Sequence, residues 1–264
     1  MFARLLREAS LLDATAPSHV RDFFDVAFDI LKMKAHRHEY VYKAALTHKI
    51  LLGAHSLQTA SMLTEFRVGE CKADLAILNG TATVYEIKSE RDSLSRLERQ
   101  LHAYKKVFAK VYVIAGENHV DEIFNTVAPD VGVLKLHNRY RISELRKAED
   151  RPDRTSPSAI FDSIRLSEAK QVLQRYDVTI PDVSNIEMHA ALRAKFVRLT
   201  ARDAHEGMVQ VLKKSRNLLP LADLVESLPR SLQSAALSVP LRRADHERLL
   251  DAVNARMRDA IKWA

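Results

Sequence analysis

Cysteine occurs once, at Cys71, and glycine only 6 times. A single thiol excludes an internal disulfide framework and any cysteine-based zinc cluster. The glycines nowhere fall into GxxxxGK[ST] or GxGxxG spacing, so a phosphate-cradling nucleotide loop has no candidate and an ATP-driven motor is not expected. Long apolar runs are missing too, since none approaches the roughly 20 residues that span a bilayer. At the start, MFARLLREASLLDA puts Arg4, Arg7 and Glu8 where a signal peptide would hold an uninterrupted apolar core. The expectation is a soluble, cytoplasmic chain with no membrane partner.

What is present is ordinary for a globular protein: 47% hydrophobic and 28% charged residues in a chain of 264, enough for one sizeable core or two modest ones. The formal net charge of +7 tilts the choice of partner towards polyanions such as nucleic acid.

The periodicity predicts two helices in residues 1 to 34, the second over Val20 to Met33, covering the core. A third runs from His38 to Leu52 with Gly53 as its stop. From Ser61 the period moves towards two. Met62 to Val68, Ala73 to Asn79 and Thr83 to Lys88 read as an antiparallel meander, with Asn79-Gly80 turning the second strand into the third. Leu94, Leu97, Leu101, Tyr104 and Phe108 then mark an amphipathic helix that leads to a strand at Lys110 to Ala115, followed by another helix and a strand at Gly132 to Leu136. Residues 139 to 158, with mixed charges, Pro152 and Pro157, read as a linker, and residues 159 to 264 as an all-helical region. The fold class is therefore α/β, with a core spanning residues 35 to 138.

The chemistry concentrates in KADLAILNGTATVYEIKSERD, residues 72 to 92. Residues two apart on a strand share a face, so Glu86 and Lys88 point together and the hairpin brings Asp74 near them. Charges withdrawn from water inside a sheet need pairing or a metal. Two converging carboxylates suit Mg²⁺ or Mn²⁺, and an adjacent ammonium can act on a water facing a phosphodiester. A cross-strand ion pair on an open sheet face is the plain alternative.

Asp74, an interval of eleven residues, then Glu86-Ile87-Lys88 resembles the signature of the PD-(D/E)XK nuclease superfamily, and Gln100-Leu-His-Ala-Tyr104 resembles the Gln-xxx-Tyr motif of its RecB-like branch. The resemblance covers about residues 35 to 116. It implies a restriction-endonuclease-like core of order α-β-β-β-α-β, a mixed sheet flanked by helices, and a Mg²⁺-dependent hydrolase acting on nucleic acid, DNA before RNA. It further implies catalytic roles for Asp74, Glu86, Lys88, Gln100 and Tyr104, with Gln100 and Tyr104 positioning the substrate strand or a water. The implied metal ligands are Asp74, Glu86, the backbone carbonyl of Ile87 and Glu39, with Glu65 and Glu70 as rivals of Glu39 for the third acid. Small bacterial proteins similar to this family serve repair, mobile elements or phage defence. A second reading keeps the fold but makes the chain a nucleic-acid-binding or assembly module, inactive alone or needing a partner protein or a second copy of itself.

Arg91, Arg96 and Lys105 around the Gln-Tyr helix, and Lys213, Lys214 and Arg216 on a later one, are the candidate phosphate contacts. Solvated faces are the plain reading of each. His36, His38, His48 and His55 lie close in sequence but form no HExxH pair, and no metal is assigned to them.

Overall fold

Asn79 and Gly80 turn the chain where the hairpin was expected. In the computed structural model, which describes residues 18–263, Gly80 takes a φ of 70°, a left-handed value that glycine adopts at little cost. It joins strand β2 (Cys71–Asn79) to β3 (Thr81–Lys88), while Gly69, also at positive φ, joins β1 (Ser61–Val68) to β2. Helix α1 (Val20–Leu31) comes first in the chain, and helix α2 (Glu39–Leu46) precedes the meander and runs on through a π turn, Thr47–Leu51. After β3, helix α3 (Leu97–Lys105) carries the chain to β4 (Lys110–Ala115), and α4 (Glu117–Thr126) to β5 (Gly132–Leu136).

The strands form one six-stranded mixed sheet in sequential order, and the element order from α2 to β4 is α-β-β-β-α-β. β1, β2 and β3 are antiparallel; β4 runs parallel to both β3 and β5. One feature of the expected linker is different. Ile142–Arg146 is a sixth strand, β6, antiparallel to β5 at the sheet edge, and a turn with Tyr140 at a φ of 55° leads into it. An edge strand exposed along much of its length keeps polar residues such as Glu144 and Arg146, so its pattern passes for a loop.

The helical region is not one body. Helices α5 (Pro157–Ser163), α6 (Leu166–Arg175), α7 (Asn185–Phe196) and α8 (Ala201–Ser215) belong with the sheet in a unit of residues 38–219. Phe161, Val172, Leu173, Leu192, Phe196, Met208 and Leu212 share a single apolar cluster with Ala76, Leu78, Val84, Val111 and Val113 of the sheet and Leu97, Leu101 and Tyr104 of α3. Fully burying a Leu, Val or Phe side chain contributes about 1.5–3 kcal/mol, so this shared cluster is what binds the helices to the strands.

Among the described residues, the second unit takes residues 18–37 together with residues 220–263. Helix α1, expected to cover the core, groups instead with α9 (Ala222–Ser227), α10 (Arg230–Ser238), α11 (Arg243–Asn254) and α12 (Met257–Ala260). Arg21 donates to Asn254 at 2.8 Å and the Ser231 amide to Asp25 at 3.1 Å. Leu224, Leu228, Ala236 and Val253 form its centre. The first of the two helices expected before residue 34 lies outside the described residues.

His205, on the buried side of α8, has neither ring nitrogen hydrogen-bonded among the described residues. Burial pushes its pKa down to about 4 from 6.5, with Asp150 partly opposing and Arg202 assisting. The unfolded chain therefore takes up the proton first. Stability is complete above pH 6.5 and is lost as pH falls towards 4. Between pH 7 and pH 4.5 this side chain should cost about 2 kcal/mol, and His205→Leu should remove that part of the pH dependence in urea unfolding.

Candidate active site

The site lies where β2 and β3 part. Their ladder runs from Asn79↔Thr81 to Leu75↔Tyr85 and ends one pair short of Asp74 and Glu86. Two carboxylates directly opposite each other disfavour pairing. The amide that would have continued the ladder finds a side chain instead, since the Ile87 N–H donates to Asp74 Oδ2 at 2.8 Å. On the other side of β2, Thr64 pairs with Leu75 and Phe66 with Ala73, which leaves Glu65 of β1 facing Asp74. Glu65 holds a φ of 54°, a left-handed backbone that costs a residue with a side chain about 1 kcal/mol or more.

On the face covered by α3, Glu86 and Lys88 are both buried. Lys88 Nζ donates to Glu86 Oε1 at 2.8 Å and to Gln100 Oε1 at 3.0 Å. The Tyr104 hydroxyl lies 2.8 Å from Glu86 Oε2 and 2.9 Å from the carbonyl oxygen of Lys72, two acceptors for one proton. The sheet and α3 thus bring together Glu86, Lys88, Gln100 and Tyr104 as expected. Tyr104 is fully buried, as Glu86 is, and its hydroxyl ties that acid to β2. Burial, with the charge and hydrogen bond of Glu86, drives the phenol pKa far above its usual value, which keeps it a proton donor.

Asp74 anchors a second group. One carboxylate oxygen each from Glu39, Glu65 and Asp74 lie within 4.8 Å of one another, and this is the group able to hold a metal among the described residues. Glu70 is not in it. Burial, then the Glu86 charge, pushes the Asp74 carboxyl up to about 7, with Glu39 adding to the rise and the Ile87 amide and Lys43 opposing it. Lys43, from α2, reaches both Glu39 and Glu65, at 2.7 Å from the latter, and Lys72 takes the other Glu65 oxygen at 2.6 Å. Hydrogen bonds from Lys43 and Lys72 hold Glu65 below the usual carboxylate range. Burial works against the charge on Lys43, but its bonds to Glu39 and Glu65 outweigh that and raise its pKa.

Compared with the ligand set expected from sequence, Asp74 and Glu39 stand together, Glu65 joins them, and both oxygens of Glu86 turn to Lys88 and Tyr104. The nearest sequence signal for Lys43 was its spacing of four residues from Glu39 on one helix. Of the basic residues, Arg91, Arg96 and Lys214 are exposed and Lys213 is half-buried. Lys105 pairs with Asp130 at 2.7 Å. Arg216 is committed elsewhere: its Nε and an NH2 group reach the two oxygens of buried Glu168 at 2.9 and 2.8 Å, and its guanidinium lies over Phe66.

Fold and site together define an α/β protein with a buried acid-lysine pair and an acidic cluster at a strand fork. The family model of bacteriophage P4 protein cII matches residues 32–234, and the chain belongs to that family. Protein cII of Enterobacteria phage P4 is 32% identical over 130 residues, 47% of this chain. The matched part is 48% of that relative, so the chain spans about half the length of the curated relative it matches. Among solved structures, the SPO1766 protein of unknown function from Silicibacter pomeroyi aligns over 46% of this chain and 82% of its own, at 16% identity and a TM-score of 0.31. A likeness of that size carries no functional argument. No helix among the described residues is long and apolar enough to cross a membrane.

Proposed function

We propose that the chain is a metal-dependent nuclease that hydrolyses phosphodiester bonds, DNA before RNA, in the cytoplasm. The observation that carries this reading is the convergence at one strand fork of Asp74, Glu86 and Lys88 with Gln100 and Tyr104 from the helix that follows. Glu39, Glu65 and Asp74 offer the hard oxygen donors that Mg²⁺ or Mn²⁺ prefers, and the expected Ile87 carbonyl is the neutral donor at the same fork. When bound, such an ion supplies Lewis-acid charge at a phosphoryl oxygen.

The remaining work falls to side chains of this protein. Glu86 and Gln100 hold the Lys88 ammonium in one place, where it can meet negative charge growing on the non-bridging oxygens. Tyr104 keeps Glu86 from swinging away. The net charge of +7 draws a polyanion, and the exposed Arg91 and Arg96 flank α3 for contact with phosphates. Membership in a family named for a bacteriophage protein suits a mobile-element setting.

A second reading has its own support. Lys88 is buried and bonded to Glu86 and Gln100, and Lys43 already bridges two acids, an arrangement that also suits a nucleic-acid-binding or assembly module in need of a partner. Incubation with single-stranded, duplex and branched DNA, and with RNA, under Mg²⁺, Mn²⁺ or EDTA separates the two. The nuclease reading expects cleavage that EDTA stops, with Lys88→Ala lowering kcat by about 100-fold and leaving substrate affinity nearly unchanged. Tight binding without cleavage under every metal condition would favour the module.

A further inference from the structure

We propose that Lys43 is a resident counter-ion of the acidic cluster, and that loading a divalent cation requires its ammonium to leave Glu39 and Glu65. This rests on the reading of Glu39, Glu65 and Asp74 as the metal ligands. Lys43 Nζ lies between an acid of its own helix and one from strand β1, at 2.7 Å from Glu65 Oε1, and its side chain is only 15% exposed. An exposed pair one helical turn apart would be screened by water and of little consequence. Glu39 and Glu65 are 50% and 45% exposed, but an ammonium withdrawn from solvent and shared by two acids from different elements is screened less than such a pair.

The same acids cannot serve both cations at full strength. A dication among these oxygens repels an ammonium at hydrogen-bonding distance, and the repulsion is strongest where water is excluded. Lys43 has a way out, because its four-carbon stem is flexible and its head is a compact charge that water solvates well. Lys72 provides the contrast. It touches Glu65 as closely, at 2.6 Å, but its side chain is 59% exposed, so its charge is largely answered by solvent. The consequence is a site whose metal affinity is held down from within, and in which Lys43 acts as a positioning residue for the unloaded cluster.

The test is a titration of the 264-residue chain with Mn²⁺ alone, without DNA, followed by electron paramagnetic resonance of the free ion and by calorimetry. Lys43→Met keeps the apolar stem and removes the charge, and it should bind Mn²⁺ about tenfold more tightly than the parent. Lys43→Arg should bind no more tightly than the parent, and Lys72→Met should stay within about twofold of it. If Lys43→Met unfolds without metal, Lys43→Gln is the second neutral variant and is titrated in its place. Equal or weaker binding in both neutral variants overturns the counter-ion role and leaves the nuclease reading standing. Tighter binding without cleavage of any nucleic acid overturns the nuclease reading and leaves the counter-ion. No Mn²⁺ binding in any variant overturns the counter-ion and the assigned ligands together.

Discussion

On the proposed nuclease reading, Asp74→Asn is expected to abolish cleavage while making the protein more stable at pH 8. The cleavage loss, about 1000-fold or more, follows from removing a charged oxygen donor where charge stabilisation is the main catalytic contribution. The gain in stability follows from burial and the neighbouring Glu86, which push the Asp74 carboxyl up to about 7 from 3.8. An acid whose folded pKa is raised lowers stability as pH rises, because the unfolded chain gives up its proton first. The loss begins near pH 4, grows to pH 7 and then levels off. Asparagine cannot ionise, and its side-chain oxygen can still accept the Ile87 amide. In EDTA at pH 8 the variant should therefore gain up to about 4 kcal/mol, and at pH 3.5 the two proteins should nearly coincide. Guanidinium unfolding at the two pH values measures both. A variant less stable than its parent at pH 8 would show that burial and the Glu86 charge do not make the Asp74 carboxylate costly to the fold.

Arg216→Gln should cost the fold rather than the grip on nucleic acid. Glu168 is 1% exposed and takes two bonds from Arg216, one from Ser215 Oγ at 2.9 Å and one from the Arg165 amide at 2.8 Å. Burial would raise the Glu168 pKa, but Arg216 and these other donors outweigh it and hold the acid low. Removing one partner of such a buried pair leaves an uncompensated charge, a loss of about 3–5 kcal/mol. The deficit should shrink in acid, where Glu168 takes up a proton. Because the guanidinium is already committed, log affinity for DNA against log salt should keep its slope, whereas losing a phosphate contact would reduce it by about 0.7–0.9. A folded variant of parental stability whose slope falls by that amount would restore Arg216 to the phosphate contacts.

The contrast between these two residues shows how far the amino-acid order could be read. Asp74, Glu86, Lys88, Gln100 and Tyr104 were legible because strand alternation, a hairpin turn and helical spacing each constrain where a side chain points. Arg216 was not, since its partner Glu168 lies 48 positions away on another helix and nothing local marks the pairing. Glu65 was one of three candidates for the third acid, and only a left-handed backbone inside β1 decides where it aims. Strand β6 hid behind the polar residues that protect a sheet edge, and the companions of α1 lie beyond residue 220, where no local pattern marks them. Short-range periodicity reports which face of an element is apolar, but not which distant element covers it.

The parting of β2 and β3 leaves a mark in the backbone as well as in the side chains. Since the Ile87 amide is satisfied by Asp74 and not by a strand neighbour, the acid doubles as a structural prop for the opening beside it. A relative that replaced Asp74 with an apolar residue would be left with an orphaned amide or would have to zip the strands shut by another pair. Decay of the chemistry would then show in the course of the main chain, as a closed seam where this protein keeps an open one.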